Sequence, residues 1–240
     1  MKNVQVLQTP AQLAAALAQL FADCAKSAVI DRGRFYVALA GGTTPRAAYE
    51  LLAGEPFSID ITWKDVFVYF SDERCVGPAD EQSNYLMAKT SLLDRINIPP
   101  HNIHRMRGED EPAAAAAAYE KTLVDDMGSF PRFDLIMLGM GTDGHTASLF
   151  PRNSLSEGAA LVAAPYVADF NTHRLTFTPR LINNARHVIV ATQGVTKAQA
   201  LADALEGPPN TATLPVQSVH PTDGELTWMV DAAAASQLHS

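Results

Sequence analysis

Apolar residues fall along this chain in two rhythms. Leu13, Leu17, Leu20, Phe21 and Cys24 recur every three or four residues, which predicts one buried face of a helix. Thr9, Pro10 and Gln12 supply a cap, a first-position proline and a capping-box partner at its start, and Arg32 and Gly33 turn the chain out of it. Dense runs come next. FYVALA (35–40), VFVYF (66–70), FDLIML (133–138), HVIVAT (187–192) and LTWMV (226–230) are nearly continuous apolar segments, the habit of strands covered on both faces of a parallel sheet. RLTFT (174–178) alternates and meets Pro179, which can open a short helix, and a short strand is expected over 103–106. Helices are expected at about 83–96, 112–126 and 196–205, the last ended by Gly207 and two prolines. Strands alternating with helices imply an α/β fold with an open, mostly parallel sheet and helices on both faces. No linker, repeat or charge block divides the chain, so 1–240 is expected to be a single domain. The alanine run 113–118 fits a solvated helix.

Composition narrows the picture. With 240 residues, 47% hydrophobic and 18% charged, a large core is feasible. A formal net charge of -8 argues against a nucleic-acid binder, which needs a basic face. It leaves room for a phosphorylated small molecule, because two or three local cations can hold one phosphate. Cys24 and Cys75 sit in no metal-binding or disulfide pattern, and His101 and His104 lack a third ligand nearby; both histidines are expected at the surface or an edge. The N-terminus has no long apolar segment of a signal peptide, and the alanine-rich stretch after it is broken by Gln12, Gln19 and Asp23. A soluble, cytoplasmic chain with no membrane partner is the expectation.

In open α/β sheets, ligands gather at loops leaving the carboxyl ends of strands. Three such loops stand out. AGGTTP puts Gly41, Gly42, Thr43 and Thr44 between a buried strand and a helix start. Free N–H groups and hydroxyls there suit a phosphate, although a tight turn with Thr44 as helix cap explains the same residues. In SDERCV, adjacent side chains of an extended segment alternate, so Asp72 and Arg74 can share a cleft while Glu73 faces away. LGMGTDGHTASLFP matches the glycine spacing of a dinucleotide fingerprint at Gly139, Gly141 and Gly144. Pro151 interrupts the helix such a site needs, and no strand ending in Asp or Glu appears at the required distance beyond it. Directly after the third glycine comes His145, and an imidazole, whose ordinary pKa is roughly 6.5, suits general-base work. Asp143 can cap its own turn or orient His145. Arg174 on a strand edge and Lys197 in a helix's first turn are candidate anion-binding cations, with Arg180 the alternative to Arg174.

The blocks AGGTTP, YFSDERCV with SNY, and FDLIMLGMGTDGHTASLFP together resemble the glucosamine-6-phosphate isomerase/6-phosphogluconolactonase family; RLTFTPRLINNAR and GVTKAQAL come after them in the family's order. The resemblance implies a modified Rossmann-like fold and a phosphosugar substrate. In the family's deaminases a tyrosine stands where this chain has Arg74, and a glutamate that aids ring opening stands where it has Phe150. The departure favours the lactonase: hydrolysis of 6-phosphoglucono-1,5-lactone in the oxidative pentose phosphate pathway, with no metal or organic cofactor. On that reading the phosphate sits on Gly41, Gly42, Thr43 and Thr44 with Arg174 and Lys197, His145 activates water, and Asp72 and Arg74 orient hydroxyls or steady charge. Backbone N–H groups near Gly141 and Gly144 are the candidate oxyanion donors. A deaminase-type enzyme using Asp72 as carbon-acid base, or a silent sugar-phosphate-binding protein, are the alternatives. A monomer or homodimer is expected.

Overall fold

A computed structural model describes every residue except 1, 2, 154, 156, 157, 159 and 240. Six parallel strands form the central sheet in the order β1-β10-β9-β5-β2-β3. They are β1 (Asn3–Leu7), β2 (Phe35–Leu39), β3 (Val66–Phe70), β5 (Leu135–Gly139), β9 (His187–Thr192) and β10 (Glu225–Asp231). The helices are α1 (Pro10–Arg32), α2 (Thr43–Leu52), α3 (Phe57–Asp60), α4 (Asn84–Ser91), α5 (Pro112–Met127), α6 (Pro179–Ile182) and α7 (Ala198–Glu206).

Alternate residues of each strand feed two cores. Val37, Leu39, Leu135, Met137 and Ile189 pack with Leu13, Leu17 and Phe21 of α1 and with Tyr49 of α2. Ala38, Ile136, Leu138, Val188 and Val190 pack on the other face with Tyr119 and Leu123 of α5 and Leu201 of α7. Full burial of such side chains contributes about 1.5–3 kcal/mol each, which is why strands apolar on both faces specify a covered sheet. By length and composition α1 could cross a membrane, but here Leu13, Leu17, Phe21 and Ala28 are fully buried against the sheet. Thr9 caps α1 by accepting from the Gln12 N–H, and Gly33 closes it at φ 74°.

Three expectations need correction. A second, antiparallel sheet stands apart from the first: β4 (Asp72–Arg74), β8 (Thr172–Phe177) and β6 (Val162–Ala163) in the order β4-β8-β6, with β7 (Tyr166–Val167) also pairing β8. RLTFT therefore belongs to this smaller sheet. Residues 103–106 are not a strand: Ile103 makes one isolated bridge to Val68 of the edge strand β3, and beside it the half-buried His104 ring stacks on Tyr69 with centroids 4.5 Å apart. Thr44 does not cap α2: the cap is Gly42 at φ 102°, with no side-chain bond to the helix, because the helix begins one residue before Thr44.

Ser71 joins the two sheets. Its N–H and hydroxyl both donate to the Leu39 carbonyl at the end of β2, while its own carbonyl accepts from Phe177 of β8. The small sheet is thereby fixed over the carboxyl edge of the large one.

Candidate active site

A cavity of about 490 Å³ opens at that edge. Gly41, Gly42, Thr43, Thr44, Asp72, Arg74, Gly141, His145, Arg174 and Lys197 all line it, together with Asn84, Ser148, Phe150, Phe170 and Thr192. Of the residues expected at the site, Asp143 and Gly144 do not line it. Asp143 lies directly behind His145, and Gly144 forms the turn between them.

The turn after β5 is built around one contact. His145 Nδ1 lies 2.6 Å from Asp143 Oδ1, and the His145 N–H also donates to that oxygen at 3.2 Å. An ionised carboxylate only accepts, so Nδ1 carries the proton and Nε2 is left as the basic nitrogen. Burial raises the Asp143 carboxyl, but the neighbouring His145 charge and its hydrogen bonds outweigh that and hold it below the usual range. Thr146 Oγ1 ties the turn to the Gly139 carbonyl at 2.7 Å. Gly141 leaves room for the pair, since a Cβ there would come within 2.1 Å of Nδ1. Of the candidate oxyanion donors in this turn, two N–H groups are already engaged, that of Gly141 by the His145 carbonyl and that of Gly144 by the Gly141 carbonyl.

The turn after β2 has the opposite character. Tyr49 of α2 anchors its start, its hydroxyl both accepting from the Ala40 N–H and donating to the Ala40 carbonyl. The first N–H groups of a helix have no intrahelical acceptor, and α2 has no side-chain cap to satisfy them. Thr43 and Thr44 therefore present backbone donors at the positive end of a helix, facing the cavity.

Three cations surround this space. Arg74 and Arg174 are direct cross-strand partners of β4 and β8, an arrangement that costs energy until an anion lies between them. Burial, and then the Arg74 charge, push the Arg174 guanidinium below its usual value. It rests 5.1 Å from the centroid of Phe170. Burial also pushes the Lys197 ammonium down, opposed by the Asp143 charge. Arg180 is elsewhere, 5.3 Å over the Phe130 ring, so of these two arginines Arg174 is the one that lines the cavity. Phe150 packs on the His145 ring at 4.5 Å and meets Phe170 at 5.6 Å, giving one apolar wall.

β4 explains why Asp72 and Arg74 share this space. Glu73, between them, points the other way and is 2% exposed. It accepts from the N–H groups of Arg74, Asn84 and Tyr85 and from Ser83 Oγ, capping α4. Burial lifts its carboxyl above the usual range despite those donors. Asn84, Ser148 and Phe170 gave no chemical signal of their own in the sequence. Asn84 and Ser148 sat inside recognisable blocks, while Phe170 lies in a short helical turn with no motif around it. Among the described residues no cluster of three or more His, Cys, Asp or Glu could hold a metal.

The family model for glucosamine-6-phosphate isomerases/6-phosphogluconolactonase matches residues 8–228. A 6-phosphogluconolactonase of Nostoc is 38% identical over 242 aligned positions, covering 99% of this chain and 98% of the relative. One from Synechocystis is 38% identical over 217, covering 88% of each. The solved 6-phosphogluconolactonase of Trypanosoma cruzi superposes with a TM-score of 0.88 at 26% identity, covering 100% of this chain and 98% of the other.

Proposed function

The chain belongs to the glucosamine-6-phosphate isomerase/6-phosphogluconolactonase family, and from that premise we propose that it hydrolyses 6-phospho-D-glucono-1,5-lactone to 6-phosphogluconate, a step of the oxidative pentose phosphate pathway. The observation that carries the reading is the 2.6 Å contact of Asp143 with His145 Nδ1, which leaves Nε2 as the basic nitrogen of a ring lining a cavity that also holds Arg74, Arg174 and Lys197.

Lactone hydrolysis needs a nucleophile, a proton acceptor and charge stabilisation. Nε2 takes a proton from water as its oxygen attacks C1. Asp143 steadies the resulting imidazolium, which returns the proton to the ring oxygen as the C1–O bond breaks. With the Gly141 and Gly144 N–H groups engaged, the cationic Arg74, whose Nη1 donates to the Gln82 carbonyl, offers its remaining N–H groups to the C1 oxyanion. The phosphate takes the α2 N-terminus at Thr43 and Thr44, with Lys197 and Arg174 as counter-charges. A general base supplies roughly 10²- to 10⁴-fold. That suffices for an ester already prone to hydrolysis in water.

Phe150 supports the lactonase over a ring-opening deaminase. It puts an apolar ring against His145 where a second proton-transferring carboxylate would be required. The deciding experiment generates the lactone with glucose-6-phosphate dehydrogenase and tracks acid release. Release well above the spontaneous rate is expected. Ammonia from glucosamine 6-phosphate without acid from the lactone would establish the deaminase instead. Ligand-induced thermal stabilisation with turnover of neither would establish a binding protein.

A further inference from the structure

Asp72 opens β4 at 8% exposure, and both of its carboxylate oxygens are already held. Asn84 Nδ2 donates to Oδ1 at 3.1 Å and to the Asp72 carbonyl at 3.0 Å, and Ser148 Oγ donates to Oδ2 at 2.7 Å. Each donor is fixed in turn. Asn84 heads α4, whose first turn is locked onto Glu73, and its side chain lies across Gly41, where a Cβ would come within 1.9 Å of Oδ1. The Ser148 N–H donates to Thr176 Oγ1 of β8 at 3.1 Å. Ala147 before it adopts φ 47°, a left-handed conformation that a residue with a Cβ takes only when its surroundings impose it. His145 and Ser148, on either side of that bend, both line the cavity.

Both donors on Asp72 are neutral. Each carboxylate oxygen has about two lone-pair sites, so each keeps one for a ligand. We infer that Asn84 and Ser148 are positioning residues that hold Asp72 as a fixed two-oxygen acceptor, and that this clamp selects lactones carrying ring hydroxyls. The inference rests on the lactonase reading and assigns Asp72 to substrate choice, leaving proton transfer to His145. A site built to bond a hydroxyl discriminates strongly against an analogue lacking it, because its own buried groups are then left unpaired.

The test compares kcat/KM for 6-phosphogluconolactone and its 2-, 3- and 4-deoxy counterparts in the wild type, Ser148→Ala and Asn84→Ala. The wild type should lose on the order of 100-fold or more on one of the deoxy lactones. On the natural lactone each variant should lose about tenfold, but on that deoxy lactone less than about threefold, because the hydroxyl whose bond they weaken is gone. Equal losses on all four lactones would reduce Asn84 and Ser148 to structural props and overturn the inference, as would a wild type indifferent to every hydroxyl. Unfolding midpoints are measured alongside. If either variant does not fold, Thr176→Val, which loosens Ser148 while keeping side-chain bulk, must show the same selectivity pattern. A wild type inactive on all four lactones would contradict the lactonase reading instead. The clamp is then judged by calorimetry with 6-phosphogluconate and its deoxy forms, where equal affinities would overturn it.

Discussion

The two glycine turns of this protein, one after β2 and one after β5, look alike in sequence and do opposite things. In the turn after β5 the N–H groups of Gly141 and Gly144 are consumed internally, and the glycines leave room for Asp143 to meet His145 Nδ1. In the turn after β2 the first N–H groups of α2 meet no side-chain cap and face the cavity. One turn spends its backbone to hold an imidazole; the other keeps its backbone for an anion. Glycine-rich loops are therefore distinguished by the fate of their donors, which the spacing of the glycines does not disclose.

That contrast can be broken from either side. Among changes to the turns around the histidine, Gly141→Ala should have the largest effect. Its Cβ would fall 2.1 Å from Nδ1 and 2.4 Å from Asp143 Oδ1, so the ring must move. A misplacement of about 1 Å costs on the order of 100-fold, so kcat should drop by about that factor with KM little changed. Steady-state kinetics decide it, and a full-rate Gly141→Ala would show that the turn does not aim the histidine. Asp143→Asn should come next, with a loss on the order of 10- to 100-fold in kcat, the range for removing a partner that orients an imidazole. Its unfolding midpoint should stay close to the wild-type value, which calorimetry checks.

Damage to the other turn should show in binding. Lys197→Ala should raise the KM for the phosphorylated lactone about tenfold, the loss of one charge-assisted contact of roughly 1.5 kcal/mol. Unphosphorylated gluconolactone, if turned over, should be unaffected by the change. A smaller effect concerns pH. Burial holds the Lys197 ammonium below its ordinary pKa in the free protein, and a bound dianion raises it again. Binding then takes up a proton in alkaline solution, and affinity for 6-phosphogluconate should fall as pH rises through the lowered value. Titration calorimetry in buffers of different ionisation enthalpy measures that uptake, and Lys197→Ala should abolish it.

Legibility in the sequence tracked the reach of the interactions. HVIVAT is β9 to the residue, because a strand covered on both faces must be apolar throughout. NVQVL at the sheet edge and the charged DER of β4 carry no such signal. β6 and β7, two residues each, are too short to carry one. His145, Asp143, Asp72 and Arg74 were legible as chemistry at strand ends, and the alternation that sends Glu73 away from Asp72 holds in β4. Ser148 was not, since its partner Asp72 is 76 residues away in the chain. Phe170 carries no motif in the sequence, and only the fold places Arg174 and Phe150 beside it. That the N–H groups of Gly141 and Gly144 themselves are taken was not legible, because a short turn closes its own hydrogen bonds, a matter of geometry at the scale of single N–H groups.

On the proposed mechanism His145 Nε2, with Asp143 on Nδ1, is the base that activates water. The most direct measurement is the hydrolysis rate of freshly generated 6-phosphogluconolactone by His145→Ala against wild type, at equal protein and with the unfolding midpoint of each recorded. A loss of about 10²- to 10⁴-fold in kcat with the fold intact is the expected result. A folded His145→Ala that hydrolyses the lactone at the wild-type rate would contradict it.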